Sequence, residues 1–247
     1  LGVVVNSSRG IIYADDPRQA ALDLRQRIND ARSGLPASPY DARAALTLVL
    51  ADMGAIQFGE FTLASGQKSP IYVDLRLLAS YPAVLRQVAL AYADLLREKL
   101  GIGRLGIEEA GIRLAAIPYA ALPIGTAVAL EMDLPLIYPR KEAKSYGTAR
   151  QIEGQFQPGD RAVVLDDLIT TGGSKLAAIQ PLEAAGLDIQ DVVVLVDREQ
   201  GGRADLEAAG YRLHAVLGMR AMLDQLVAAG RISAAQRDSV ADFLWGR

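Results

Sequence analysis

The run Val163-Val164-Leu165-Asp166-Asp167-Leu168-Ile169-Thr170-Thr171-Gly172-Gly173-Ser174 decides the fold. Its head, Arg161-Ala-Val-Val-Leu165, reads as a buried strand that carries two adjacent carboxylates to its C-terminal end, where open α/β sheets place their ligands. A turn of hydroxyls and glycines then enters a helix. Glycines let backbone N–H groups close around a phosphate, and the helix N-terminus adds partial positive charge. Hydrogen bonds to such a charged group contribute about 1.5–3 kcal/mol each. The turn lacks the Gly-Lys-[Ser/Thr] ending of a Walker loop, and it is not the G-x-G-x-x-G of a dinucleotide site. Two acids followed by a phosphate cradle suit a sugar phosphate. Asp166 and Asp167 would meet ribose hydroxyls, and Leu168, Ile169, Thr170, Thr171, Gly172, Gly173 and Ser174 would wrap the 5′-phosphate.

On either side of this run, strand and helix patterns alternate. Tyr40 to Met53 reads as a helix, and Pro82 to Leu100 as another, with Val84, Val88, Tyr92 and Leu95 on one face and Gly101 as its stop. Leu114–Pro118, Pro135–Tyr138, Asp191–Val196 and Tyr211–Leu217 read as strands. Ile124–Met132, Ser174–Ala185 and Arg203–Ala209 read as helices, with two more after Gly218. This rhythm predicts a mostly parallel sheet flanked by helices on both faces. Upstream, Gly2-Val-Val-Val-Asn6 reads as a strand, and Asp16-Pro17 as a helix start whose stripe is Leu24, Ile28 and Ala31. A linker at residues 35–40, following Ser33-Gly34, separates a unit of residues 1–34 from one of residues 41–247.

Composition narrows the function classes. The 247 residues are 51% hydrophobic and 22% charged, too apolar for a disordered chain. With 26 Lys+Arg against 29 Asp+Glu, the net charge of −3 offers no basic footprint for nucleic acid. The absence of Cys excludes a disulfide scaffold, thiol catalysis and Cys-ligated zinc, and a single His excludes a His-rich metal site. No apolar run approaches the ~18 residues of a membrane span. The expectation is a soluble cytoplasmic α/β enzyme with neither nucleic-acid nor membrane partners.

The acid-acid-x-x-Thr-Thr-Gly loop resembles the hallmark of the type I phosphoribosyltransferases, which bind phosphoribosyl pyrophosphate. Four further stretches resemble orotate phosphoribosyltransferase in particular. They are the hood segment Phe61–Arg76, the loop Ile117-Pro118-Tyr119-Ala-Ala-Leu-Pro123, the mobile loop Arg140-Lys141-Glu-Ala-Lys144-Ser-Tyr146-Gly147, and Asp197-Arg198-Glu-Gln-Gly-Gly202. The similarity runs from about Tyr40 onward in the family's order. It implies the type I phosphoribosyltransferase fold with a small N-terminal hood. It further implies transfer of ribose 5-phosphate to orotate, with release of pyrophosphate and formation of orotidine 5′-phosphate, a step of UMP synthesis. By the same resemblance Arg140, Lys141, Lys144 and Tyr146 bind pyrophosphate, Lys144 reaching across a homodimer into the partner's site. Asp166, Asp167 and Lys144 are the catalytic set, and Thr170, Arg198 and Tyr72 meet orotate.

The physics of these residues agrees. The transition state resembles an oxocarbenium ion while the leaving group gains negative charge, so cations aimed at it act on the transition state more than on the ground state. A planar guanidinium at Arg198 can grip the orotate carboxylate bidentately. Mg²⁺ should ride on substrate oxygens, with no cage of protein ligands, because it prefers few protein ligands and several waters. The polar stretch Glu142–Gln155 has the composition of a lid that would exclude water. The chain departs from the family at Ala64, where a substrate-contacting Lys is usual and for which Lys68 is a substitute candidate, and at Ala120 and Tyr146. His214 reads as structural and Trp245 as a helix anchor.

Gly2–Ala14 resembles the last strand and phosphate loop of orotidine 5′-phosphate decarboxylase, with Arg9 at the phosphate and the family's last barrel helix following. A (β/α)₈ barrel needs about 250 residues, so residues 1–34 read as a β-α remnant of a TIM barrel from a decarboxylase–transferase fusion, from which no decarboxylase activity is expected. Two other readings stay open: a type I phosphoribosyltransferase for another base, and a non-catalytic regulator that binds phosphoribosyl pyrophosphate.

Overall fold

The computed structural model describes residues 16–20, 42–62, 66–102, 111–140 and 151–246. The chain divides into two units, Leu1–Asp41 and Ala42–Arg247. In the first, Asp16 opens a helical turn at 17–20. Its Oδ1 accepts the Gln19 N–H at 2.9 Å, and Pro17 stands at the first helical position, where no backbone donor is required. The Gly2–Asn6 strand, Arg9 and the Leu24/Ile28 stripe lie outside the described residues.

The second unit opens with α1 (Ala42–Asp52) and an antiparallel hairpin, β1 (Ile56–Thr62) with β2 (Lys68–Val73). A 3₁₀ turn at Leu75–Ser80 leads into α2 (Pro82–Leu100). Strands and helices then alternate: β3 (Ile112–Ala116), α3 (Ala121–Met132), β4 (Leu136–Pro139), β5 (Ile152–Glu153), β6 (Arg161–Ile169), α4 (Gly173–Ala184), β7 (Asp188–Asp197), α5 (Gly202–Ala208) and β8 (Arg212–Gly218). Two helices follow, α6 (Met219–Ala228) and α7 (Ala234–Trp245). Gly101 ends α2 in the left-handed region at φ 69°, where only glycine pays no steric penalty. Among the described residues no helix is long and apolar enough to cross a membrane.

The main sheet runs in the order β5-β4-β3-β6-β7-β8, parallel throughout except for β5 against β4. Parallel strands covered on both faces read as continuous apolar runs, and the pleat sorts their side chains. Val163, Leu165, Val193 and Leu195 join the core under α2 and α3. Ala162, Val164, Val192 and Val194 join the core shared with Ile179 and Leu182 of α4 and Leu206 of α5.

The structure departs from the sequence expectation at several elements, among them the strands β1 and β5, which the sequence reading did not anticipate. β6 continues past Leu165 to Ile169, because its ladder with β7 holds as far as the Ile169–Asp197 pair, so both acids lie inside the strand. α3 starts at Ala121 rather than Ile124. The hood segment carries no periodic signal, yet it forms the β2 half of a hairpin held by cross-strand pairing and by the stacked rings of Phe61 and Tyr72, 5.5 Å apart.

Candidate active site

Strand order reverses between β3 and β6: from β3 the chain winds outward to β4, and from β6 the other way to β7 and β8. Such a switch point splays the connecting loops apart and opens a crevice beyond the strand ends. The crevice is present as a cleft of about 450 Å³. Ile117, Pro118, Tyr119 and Ala120 line it from the loop after β3, Arg140 from the end of β4, Asp166 and Asp167 from β6, and Ser174 from α4. The Ile117 N–H donates to the Leu165 carbonyl at 2.9 Å, fixing the two walls to each other.

The pleat gives the adjacent acids different surroundings. Asp166 continues the Ala162, Val164 side, the face that α4 covers, and Lys175 in the first turn of α4 meets it there. The Lys175 Nζ to Asp166 Oδ2 distance is 2.6 Å, with both side chains more than nine-tenths buried. Asp166 Oδ1 accepts the Asp167 N–H at 2.9 Å, and Asp167 Oδ1 accepts the Leu168 N–H at 2.8 Å. Burial raises the Asp167 carboxyl to about 7, with the charge of Asp166 and a hydrogen bond between the two acids adding to it. Behind them Tyr92 of α2 donates its hydroxyl to the Asp166 carbonyl at 2.6 Å. Burial lifts that phenol well above its ordinary range, and the Asp167 and Asp166 charges reinforce the effect, so Tyr92 stays a donor.

The turn between β6 and α4 is held from outside by α5. The Gly172 N–H donates to Asp205 Oδ2 at 2.9 Å, and a Cβ at Gly172 would stand 2.6 Å from the Asp205 Cβ. Gly202 donates its N–H to the Thr170 carbonyl at 3.0 Å, and a Cβ there would sit 2.6 Å from Ile169 Cγ1. At Gly172 the backbone packs against the Asp205 side chain and at Gly202 against the Ile169 side chain, so a Cβ at either place would force its neighbour to move. Gly173 and Ser174 begin α4, where N–H groups have no acceptor one turn back within the helix and are available to an anion.

Arg198 follows β7 and is joined to the same corner by its N–H, which donates to the Ile169 carbonyl at 2.9 Å. Its Nε is buried and has no protein partner among the described residues, and burial lowers the guanidinium from its ordinary value. A buried unpartnered donor is costly unless an acceptor arrives, which suits a carboxylate ligand. Its carbonyl accepts the Trp245 indole N–H at 3.2 Å, so Trp245 does more than anchor a helix.

The structure thus brings Arg140, Asp166, Asp167 and Ser174 to one cleft and ties Thr170 and Arg198 to its rim by backbone bonds. Arg140 Nη1 rests on Glu153 Oε1 at 2.5 Å. Tyr72 is on the hairpin and not among the cleft-lining residues; its hydroxyl accepts from Arg76 Nη2 at 3.1 Å. Lys68 pairs with Glu60 at 2.8 Å on the exposed hairpin surface. Ala64, Lys141, Lys144 and Tyr146 lie outside the described residues. His214 is structural, its Nε2 being 2.9 Å from the buried Asp191. Lys175 was missed, although a signal existed: a lysine in the first turn of a helix opposes the helix dipole and implies an anion nearby.

A switch-point cleft with paired acids, beside a glycine-rich turn that enters a helix on a mostly parallel sheet, is the architecture of the type I phosphoribosyltransferase fold. No family model matches the chain. It is 38% identical over 179 residues to the orotate phosphoribosyltransferase of Cenarchaeum symbiosum, covering 72% of this chain and 86% of that protein, and so belongs to the orotate phosphoribosyltransferase family. It is also 42% identical over 188 residues to the bifunctional enzyme PyrF/PyrE of Nostoc sp., covering 76% of this chain and 37% of that protein. Among solved structures it resembles Leishmania donovani UMP synthase, with TM-score 0.71 and 43% identity over 96% of this chain and 48% of that one. It also resembles Aeropyrum pernix orotate phosphoribosyltransferase, with TM-score 0.60 and 34% identity over 73% of this chain and 97% of that one. The chain spans under half the length of the bifunctional relatives it matches.

Proposed function

We propose that this chain transfers the ribose 5-phosphate group of phosphoribosyl pyrophosphate to orotate, giving orotidine 5′-phosphate and pyrophosphate. The observation that carries the reading is the shared cleft of Asp166, Asp167 and Arg140 at the switch point, with the β6–α4 turn at its edge. Family membership supports the choice of base, and so does the unpartnered Nε of Arg198.

In this reading the turn from Thr170 to Ser174 holds the 5-phosphate through backbone N–H groups, while Asp166 and Asp167 face the ribose hydroxyls. A ring nitrogen of orotate bonds to the sugar C1 as the C1–O bond to pyrophosphate breaks, and the bonding pair leaves with the diphosphate. Arg140, turning from Glu153, joins Lys141, Lys144 and Tyr146 at that developing charge. Mg²⁺ would come with the substrate and would supply positive charge to the departing diphosphate. The acids fit that role better than a cage, since three of the bonds on the pair are already taken by Lys175, the Asp167 N–H and the Leu168 N–H. Lys144 would act from a second copy of the chain, making the working unit a homodimer, in the cytoplasm.

Pyrophosphate release measured with Mg²⁺ and phosphoribosyl pyrophosphate, with and without orotate, tests the reading. Release that needs orotate, lost in Lys144→Ala, is expected. Binding of the sugar diphosphate without turnover would make the chain a regulator, and release driven by another base would reassign its acceptor.

We further propose that residues 1–34 are the terminal strand and helix of a decarboxylase barrel, joined by the linker at 35–40 to the transferase. In support, the likeness to UMP synthase extends over 96% of the chain, leaving too little to omit these residues, while the likeness to the stand-alone transferase extends over 73%. Sequencing the gene upstream of Leu1 is expected to show the rest of the barrel in frame, and an unrelated frame there overturns the proposal.

A further inference from the structure

Two adjacent carboxylates in one cleft must share a scarcity of compensating charge, and the structure resolves it unequally. Besides its hydrogen bond with Asp167, the Asp166 carboxylate meets the Lys175 ammonium at 2.6 Å and the Asp167 N–H at 2.9 Å. Asp167 has the Leu168 N–H at 2.8 Å and, among the described residues, no ammonium or guanidinium in an ion pair with it. The difference follows from the pleat. Asp166 shares the face of Ala162 and Val164, which α4 covers, while Asp167 projects from the other side. Lys175 is itself more than nine-tenths buried, and a buried ammonium stays charged only beside an anion. Its position in the first turn of α4 runs against the helix dipole, so the local backbone does not explain it.

We propose that Lys175 is a positioning residue that pairs with Asp166 and turns it toward α4, so that Asp167 is the acid that yields its proton when the ribose hydroxyls of the sugar diphosphate bind. This deepens the function proposed above and rests on it for the identity of the sugar. On binding, the Asp167 proton passes to solvent and the freed carboxylate accepts a ribose O–H. The groups facing Asp167 are Asp166 from its own strand, Lys175 from α4 and the Tyr92 phenol from α2, and Arg140 lines the same cleft while engaged by Glu153. Of these, burial and Asp166 hold the proton on Asp167, and Lys175 acts to release it.

The test needs no turnover. Carboxyl ¹³C resonances of aspartate are followed in the substrate-free protein across neutral pH, with Asp167→Asn assigning the site. Wild type is expected to show a transition near neutrality. Lys175→Gln keeps a donor for Asp166 but removes the charge, and is expected to move the Asp167 transition upward by about one unit or more, while Lys175→Arg restores it. Lys175→Met serves as a second removal, and thermal melting of each variant checks that it is folded. A transition in the same place in all folded variants overturns the proposal. In parallel, the affinity for phosphoribosyl pyrophosphate with Mg²⁺ is measured against pH. The pH at which binding strengthens should follow the same order, wild type and Lys175→Arg below Lys175→Gln. A shift in the ¹³C transition with no binding in any variant would sink the function and leave the charge arrangement standing. Binding whose pH dependence ignores Lys175 would sink the arrangement and leave the function standing.

Discussion

At Asp167 the carboxyl sits at about 7 because burial and the neighbouring Asp166 favour the neutral form. An acid whose value is raised on folding binds a proton that the unfolded chain releases above its ordinary value of 3.8. Its contribution to stability is therefore full at low pH and declines as pH rises from about 4 through 7. Asn copies the neutral acid in shape and charge. Asp167→Asn is expected to melt higher than wild type at pH 8, with the gap closing toward pH 5. The same substitution removes a charge-assisted bond to the ribose, so kcat/KM for the sugar diphosphate should fall about 10–100-fold, the equivalent of about 1.5–3 kcal/mol. Calorimetry and initial rates check the two halves, and a variant that keeps kcat/KM takes Asp167 out of the site. That the two acids and the glycine-rich turn share one strand-to-helix corner was legible in the sequence because their spacing is local. Lys175 was legible only as a lysine at a helix start that implies a nearby anion; that the anion is Asp166 was not, since only the pleat of β6 and the packing of α4 bring the two together.

Among the elements, α7 is the one whose purpose sequence periodicity hid. Its last residue, Trp245, donates to the Arg198 carbonyl at 3.2 Å, and the Arg220 guanidinium carbon lies 3.9 Å over its ring. Arg220 in turn pairs through Nε with Glu199 Oε2 at 3.0 Å. The N-terminus of α6 and the C-terminus of α7 thus bracket the loop after β7, in which Glu199 adopts a left-handed φ of 56° and donates its N–H to Asp197 Oδ1 at 2.8 Å. An amphipathic stripe says that a helix packs, not which loop its end will touch, and these contacts bridge 47 residues of sequence. Trp245→Phe keeps the ring for Arg220 and loses one N–H donor. It is expected to raise the KM for orotate roughly 5-fold, in line with the ~1 kcal/mol of a neutral hydrogen bond, and to leave the KM for the sugar diphosphate unchanged. Steady-state kinetics varying each substrate separate the two, and equal changes in both would mean that Trp245 acts on the whole fold.

Across the whole molecule, the sheet divides its labour between its two ends. The C-terminal ends of β3, β6 and β7 carry the cleft and the Arg198 loop, whereas the start of β7 holds Asp191, fully buried beneath two arginines and the chain's only His. Arg161 from β6 and Arg212 and His214 from β8 all converge on it at 2.8–2.9 Å, lacing three parallel strands together at the end opposite the cleft. Burial alone would raise this carboxyl, but the hydrogen bonds from Arg212, His214 and Arg161 outweigh it and hold it down to about 2. A lowered acid contributes stability that is complete above its ordinary value and is lost as pH falls through the folded one. Unfolding driven by this group therefore belongs between about pH 4 and pH 2. Asp191→Ala removes the shared acceptor of Arg161, Arg212 and His214, and because both guanidiniums reach solvent the cost is that of lost hydrogen-bond partners, about 1–3 kcal/mol. The variant should consequently denature at distinctly lower urea concentration at neutral pH, and its stability should depend less on acid than that of wild type below pH 4. Because the cluster is separated from the cleft by the length of the strands, kcat/KM at temperatures where the variant is folded should match wild type. A folded Asp191→Ala with impaired kcat/KM would show that strand register, and not only stability, is set from this end of the sheet.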